Sequence, residues 1–480
     1  MPRVDTLIRT AQLYDGTGSA PATGDLAIDG GRIAGMGDLS GWSAREELHA
    51  EGLALAPGFI DVHTHDDRAV LATDMACKVS QGVTSVVVGN CGISLSPLAA
   101  VGNLPPPLDL LGETRDYVFP RFVDYVEAVH RRGAAVNVAA LIGHSTLRVG
   151  AMDSVDRPAT RAEISAMKTS LVRSLGAGAI GFSTGLNYAP SRAAPTAEVM
   201  ALTSVLKAAG GIHTTHMRDE GDRITEAMDE AFAIGQSAGV PVLISHFKLT
   251  GPRNFGRSAE TVPKFAAALE KQPLALDAYP YAAGSTVLKP DYAFGTVRIL
   301  ITWSKSQPKM AGRYLDEIAA EWGVEQRQAA ERLQPAGAVY FAMDEADVRR
   351  ILAYPETMIG SDGLPHDSHP HPRLWGAFPR VLGHYARKEK LFPMAEAIRR
   401  MTALPADRFG FKDRGRLAEG LAADLVVFDP ETVEDRATYQ EPTLLSAGIE
   451  RTIVNGRTVW QDGQHTGERP GRLLKRTATA

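Results

Sequence analysis

The sequence predicts an α/β protein: a (β/α)8 barrel of the TIM type, accompanied by a small β-sandwich domain built from both chain termini. Three observations predict it. Eight short apolar runs with strand character recur along the middle of the chain, helix-period stretches separate most of them, and polar or reactive residues gather where those runs end. A doubly wound open sheet is the competing arrangement. The polar residues at every strand end speak against it, and no glycine-rich dinucleotide turn follows a strand and opens a helix.

In chain order, residues 3–56 read as short strands and turns: Asp5-Thr6-Leu7-Ile8, Gly24-Asp25-Leu26-Ala27-Ile28 and Arg32-Ile33-Ala34-Gly35-Met36, with Asp29-Gly30-Gly31 as a hairpin turn. Similar material returns at 423–428 and 452–460. Chain termini usually lie close together, so residues 1–56 and 414–480 are assigned to one β domain beside a barrel at 57–413. The barrel strands are expected in the run 57–65 and at 82–89, 136–142, 179–183, 211–215, 240–245, 274–279 and 357–361. A helix is expected at 222–238, where Ile224, Ala227, Met228, Ala231, Phe232 and Ile234 keep the helical period. The long connection between the last two strands predicts an insertion or lid at about 286–350.

Composition narrows the function. The 480 residues are 44% hydrophobic and 22% charged, enough for a large core, and the net charge of −5 comes from acids and bases that are interspersed rather than clustered. That pattern carries no nucleic-acid or membrane footprint, and no run of about 18 apolar residues is present to span a bilayer. The first ten residues lack a basic-then-apolar leader pattern, and two cysteines, Cys77 and Cys91, suit a reducing compartment. A cytoplasmic protein acting on a small molecule is expected.

Barrel chemistry sits at the C-terminal ends of the strands. In Pro57-Gly58-Phe59-Ile60-Asp61-Val62-His63-Thr64-His65 the two histidines are one residue apart, so on an extended strand they face the same way. The second strand ends in Gly89-Asn90-Cys91-Gly92, the fifth in His216, the sixth in His246 and the eighth in Asp362. Singly, Cys91 reads as a small core residue, the histidines as packed core residues and Asp362 as a loop cap. Together they place a thiol, imidazoles and a carboxylate on one rim. A Cys and two His match the three protein ligands of a catalytic zinc, a metal that makes amide hydrolysis feasible at neutral pH, and Asp362 is the natural general base. His213, three residues before His216, faces the other side of its strand and reads as a packed histidine.

The combination of His63-Thr64-His65, histidines at the fifth and sixth strand ends and Asp362 at the eighth resembles the amidohydrolase superfamily. Further segments narrow the likeness: Gly89-Asn90-Cys91-Gly92, Gly143-His144-Ser145-Thr146-Leu147-Arg148, Ser183-Thr184-Gly185-Leu186-Asn187-Tyr188, Thr215-His216-Met217-Arg218, Asp277-Ala278-Tyr279-Pro280-Tyr281 and Ser361-Asp362-Gly363. They resemble the N-acyl-D-amino-acid deacylases, or D-aminoacylases, over essentially the whole chain. The resemblance implies that Cys91, His216 and His246 hold one tightly bound zinc, with Cys91 replacing a fourth-strand carboxylated lysine that residues 179–184 lack. It implies that His63 and His65, with Asp362, border a weaker second metal position or orient water. It further implies that Lys248, Tyr279 and Arg373 hold a substrate α-carboxylate, with Tyr188 and Ser285 lining the site. In the insertion segment 294–305, Arg298 or Lys305 would pair with a side-chain carboxylate, making N-acyl-D-glutamate the expected substrate. A cyclic-amide hydrolase of the hydantoinase kind and a non-catalytic barrel scaffold are the rival readings.

Overall fold

In the computed structural model, which describes residues 3–293 and 295–477, eight parallel strands close into a barrel. They run Phe59–Asp61, Val83–Val88, Asn137–Gly143, Gly181–Gly185, Ile212–His216, Val242–Ile244, Leu274–Ala278 and Thr357–Ile359, pairing in chain order. The ring closes where Thr64 bridges Gly363 and the Asp362 N–H donates to the His63 carbonyl at 2.8 Å. The seam therefore sets the ends of the first and last strands side by side, so residues 299 positions apart in sequence share one rim.

Side-chain alternation fills the barrel. Ile60 and Val62, Ala139 and Leu141, with Val87, Ile212, Leu243 and Met358, form one interior core with Phe409 and Phe411 from the C-terminal part of the chain. Outside, the helix Ile224–Ala238 buries Ile224, Ala227, Met228, Ala231 and Ile234 and stops at Gly239, whose φ of +63° suits a residue without a Cβ. It begins two residues later than its period predicts, and Phe232 lies at the edge of the buried face. The string Gly176-Ala177-Gly178-Ala179-Ile180-Gly181 has dinucleotide-fingerprint spacing, but it links the end of a helix to the start of a strand, the reverse of the order that phosphate binding needs.

Both chain ends meet in one mostly antiparallel nine-stranded sheet. Leu425–Phe428 pairs with Ala54–Pro57, and Ile8, Leu26, Ile33, Leu55, Leu425 and Ile453 share a core. Asp29 faces Arg32 across the two-residue turn Gly30-Gly31, both at positive φ, as a tight hairpin requires. The insertion is a folded unit. Gly284–Val287, Ala336–Tyr340 and Ile299–Ser304 make a three-stranded sheet that packs with the helices Leu315–Trp322 and Gln326–Leu333. Phe294 of this segment lies outside the described residues. Among the described residues, no helix is long and apolar enough to cross a membrane.

Candidate active site and metal centre

Three rim residues, Cys91, His246 and Asp362, have φ of +53°, +37° and +50°, a conformation that costs non-glycine residues of order 1–3 kcal/mol. Each stands just past a barrel strand, where the left-handed turn bends the chain over the mouth. The loop carrying Cys91 is pinned from below. Ser183 Oγ donates to the Gly89 carbonyl at 2.5 Å and accepts from the Gly92 N–H at 3.0 Å, while Asn90 Nδ2 donates to the Val87 carbonyl at 2.9 Å. Gly89, at φ +78°, presses so closely on the Leu141 carbonyl that a Cβ would collide with it.

Cys91 Sγ lies 3.2 Å from both His63 Nε2 and His246 Nε2. Donor atoms of Cys91, His216 and His246 lie within 4.8 Å of one another, and so do those of His63, His65, Cys91 and Asp362. Cys91 belongs to both groups. Burial would raise its thiol, yet His63 and His246 hold it well below the ordinary thiol range. Burial pushes His216 down to about 4 and keeps it neutral, and its Nδ1 has no protein partner. A thiolate converging with imidazoles is the donor set that zinc takes. The donors present therefore fit that ion.

Behind these donors stands a layer that the sequence reading missed. Glu220 Oε1 lies 3.0 Å from His246 Nδ1 and accepts from Lys248 Nζ at 2.6 Å, and Glu220 Oε2 lies 3.5 Å from His216 Nε2. Asp277 Oδ1 accepts from the His246 N–H at 2.9 Å, and its Oδ2 faces His63 Nδ1 at 3.4 Å. Asp277 lies in the segment Asp277-Ala278-Tyr279-Pro280-Tyr281, where the sequence alone gives it no role. Glu220, four residues after His216, carried no signal beyond that spacing. His213 is turned away and bonds to Thr184 Oγ1 at 3.1 Å.

Asp362 joins the metal-ligand types to the remaining site residues. Its Oδ1 faces His65 Nε2 at 3.2 Å and His63 Nε2 at 3.5 Å, and its Oδ2 lies in ion-pair contact with Arg373 Nη2 at 2.9 Å. Burial would raise this carboxyl, but Arg373 and His63 with the His65 hydrogen bond hold it well below the usual carboxylate range. Arg373 is fully buried, its guanidinium 4.5 Å from the Tyr279 ring centroid, and Lys248 Nζ is 6.0 Å from the same centroid. Arg373 Nε and Nη1 and the Ser285 hydroxyl have no protein partner. His371, unassigned from sequence, accepts the Arg373 N–H at 2.9 Å and fixes the turn that delivers it. The Tyr188 ring lies 4.8 Å from that of His216, and its hydroxyl meets Thr286 Oγ1 at 3.0 Å.

Arg298 is not brought into this group. It is half exposed, bonds to Glu317 at 2.9 Å, lies 3.6 Å from Asp316 and stacks on Tyr314. Its charge faces two insertion carboxylates. Lys305 is exposed.

Comparison with known proteins adds four findings. A family model described as the Amidohydrolase family matches residues 46–272 and 307–460. A D-aminoacylase of Alcaligenes xylosoxydans xylosoxydans is 53% identical over 475 residues, covering 99% of this chain and 98% of its own, and an N-acyl-D-aspartate deacylase of the same organism is 50% identical over 475, covering 98% and 95%. The crystal structure of N-acyl-D-glutamate deacylase from Bordetella bronchiseptica, complexed with zinc and a phosphonate mimic of the tetrahedral intermediate, is 47% identical with a TM-score of 0.96, covering 99% of this chain and 100% of its own.

Proposed function

The chain belongs to the amidohydrolase family, and we propose that within it this protein hydrolyses the amide bond of N-acyl-D-amino acids, releasing a carboxylate and a free D-amino acid. The observation that carries this reading is Asp362, which lies between the imidazoles of His63 and His65 on one side and the partly unsatisfied Arg373 on the other. A carboxylate that can move a proton is thereby coupled to a buried cation suited to an α-carboxylate.

In this reading Cys91, His216 and His246 hold a zinc ion, while His63 and His65 border a weaker second position. A zinc ion there supplies Lewis acidity toward the amide carbonyl and acidifies water. Arg373 receives the α-carboxylate with Ser285, Lys248 and Tyr279, which fixes the scissile amide over the rim. Asp362, ionised at neutral pH, takes the proton from water and returns it to the leaving nitrogen. A substrate carboxylate on Arg373 shares the cation that depresses Asp362, so binding itself makes Asp362 a better base. Tyr188 walls the site beside His216. The two unpaired, buried cysteines support a cytoplasmic location.

The test is initial rates on matched N-acetyl-D- and N-acetyl-L-leucine and -methionine. Hydrolysis confined to the D forms is the expected result, and equal rates on both enantiomers would sink the proposal.

Two predictions follow from the supporting residues. Glu220→Gln removes the negative charge behind His216 and His246, and zinc affinity measured by competition with a chelating dye is expected to weaken about 10- to 100-fold. Arg373→Lys keeps a charge but loses the planar fork, and kcat/KM for an N-acyl-D-amino acid is expected to fall about 10- to 100-fold.

A further inference from the structure

Beside the metal-ligand group lies a cavity of about 600 Å3, lined by Asn187, Tyr188, Arg218, Lys289 and Tyr292 among others. Tyr188 is the shared wall: one side of the site has its ring 4.8 Å from that of His216, and Lys289 Nζ is 5.3 Å from its centroid. Lys289 is four residues beyond Ser285 on the same strand and turn, and the Tyr188–Thr286 hydrogen bond lies between them. Cavity and α-carboxylate subsite are therefore neighbours.

Lys289 is partly buried and its environment is unusual for a cation. Its Nζ donates to Asn187 Oδ1 at 2.6 Å and lies 5.1 Å from the Tyr292 ring centroid. Among the described residues, no carboxylate is within ion-pair distance of it. Asp291 in the same wall faces Arg327 at 3.5 Å, and Arg218 is committed to Glu230 at 2.8 Å. Burial, with Arg192 and Lys248 nearby, pushes the Lys289 ammonium down to about 8, against a weaker opposing pull from Glu220, which is itself paired with Lys248. Holding a cation in such a place without a counter-charge is costly, and an anion arriving from the substrate side would offset that cost.

Resting on the deacylase reading, we infer that Lys289 receives a second carboxylate of the substrate, distinct from the α-carboxylate held at Arg373. Two parts of an N-acyl-D-amino acid can carry that group: an acidic side chain, or an acyl chain derived from a dicarboxylic acid. Either would enter past Tyr188 and meet Lys289 in the cavity. Selectivity for an acidic substrate then resides in Lys289 rather than in Arg298.

The experiment compares kcat/KM for N-acetyl-D-glutamate, N-succinyl-D-leucine and N-acetyl-D-leucine in the wild type, Lys289→Met, Lys289→Gln and Lys289→Arg. The expected result is that the ratio of one acidic substrate to N-acetyl-D-leucine falls about 10- to 100-fold in Lys289→Met and Lys289→Gln and is restored by Lys289→Arg. A fall confined to the glutamate ratio assigns the side chain, and one confined to the succinyl ratio assigns the acyl group. Ratios that stay at wild-type values, or an equal loss on all three substrates, overturn the inference while leaving the deacylase reading in place. A wild type that hydrolyses none of the three overturns that reading and this inference together.

Discussion

Asp362→Asn is expected to lower kcat about 100- to 10,000-fold on any N-acyl-D-amino acid the wild type turns over, with the zinc content unchanged. Asparagine has nearly the same shape and tolerates the φ of +50° at this position, so the loop after the eighth strand keeps its course. What is lost is the acceptor. An amide cannot take a proton from water, and it has no negative charge to set against His63 at 3.5 Å, His65 at 3.2 Å and Arg373 at 2.9 Å. Because Asp362 is not one of the three residues proposed to hold the tight metal, elemental analysis of the same sample separates lost proton transfer from lost zinc. A variant with wild-type kcat would remove Asp362 from the reaction.

The second large effect concerns stability. Lys78→Met is expected to destabilise the fold by about 3–5 kcal/mol, because it leaves two buried carboxylates without their cation. Lys78 Nζ lies 2.8 Å from Asp61 Oδ2, 2.7 Å from Ser361 Oγ and 3.3 Å from Asp66 Oδ2, all fully buried. Asp61 Oδ1 in turn accepts the N–H of Ser361 at 2.8 Å and that of His63 at 3.3 Å, so this cluster ties the first strand to the eighth directly under the rim. The pH dependence has a definite sign. Burial raises the Asp66 carboxyl even with Lys78 opposing it, and without Lys78 it rises further. A carboxyl raised in the folded state binds its proton more tightly there than when unfolded. The variant's deficit is therefore largest at neutral pH and shrinks as the pH falls through the raised value and Asp66 becomes neutral. Thermal unfolding of both proteins at neutral and mildly acidic pH reads this, and equal midpoints at neutral pH would contradict it.

Much of the framework was legible because buried parallel strands are written as unbroken apolar runs, and the reactive residues stand immediately after them. Cys91, His216, His246 and Asp362 could be placed on one rim from strand order alone. The His63/His65 pair was legible from its period. What escaped the sequence was whatever depends on a partner brought from far along the chain. Glu220 and Lys78 look like ordinary surface charges until the barrel closes around them. The ion pairs of Arg298 escaped for the same reason: nothing local shows that Asp316 and Glu317, on a helix of the insertion, will face it. Lys289, in Leu288-Lys289-Pro290-Asp291, reads as part of a solvated turn, and only the fold shows it facing Asn187 and Tyr188. The D configuration has no trace in composition or spacing and rests on the relatives.

The most direct measurement is zinc content by elemental analysis, taken together with the rate on N-acetyl-D-leucine, for the wild type and for Cys91→Ala. The account predicts stoichiometric zinc and D-specific hydrolysis in the wild type, and the loss of both in Cys91→Ala, since this sulfur belongs to both groups of candidate ligands. A folded Cys91→Ala protein that retained its zinc and its rate would contradict it.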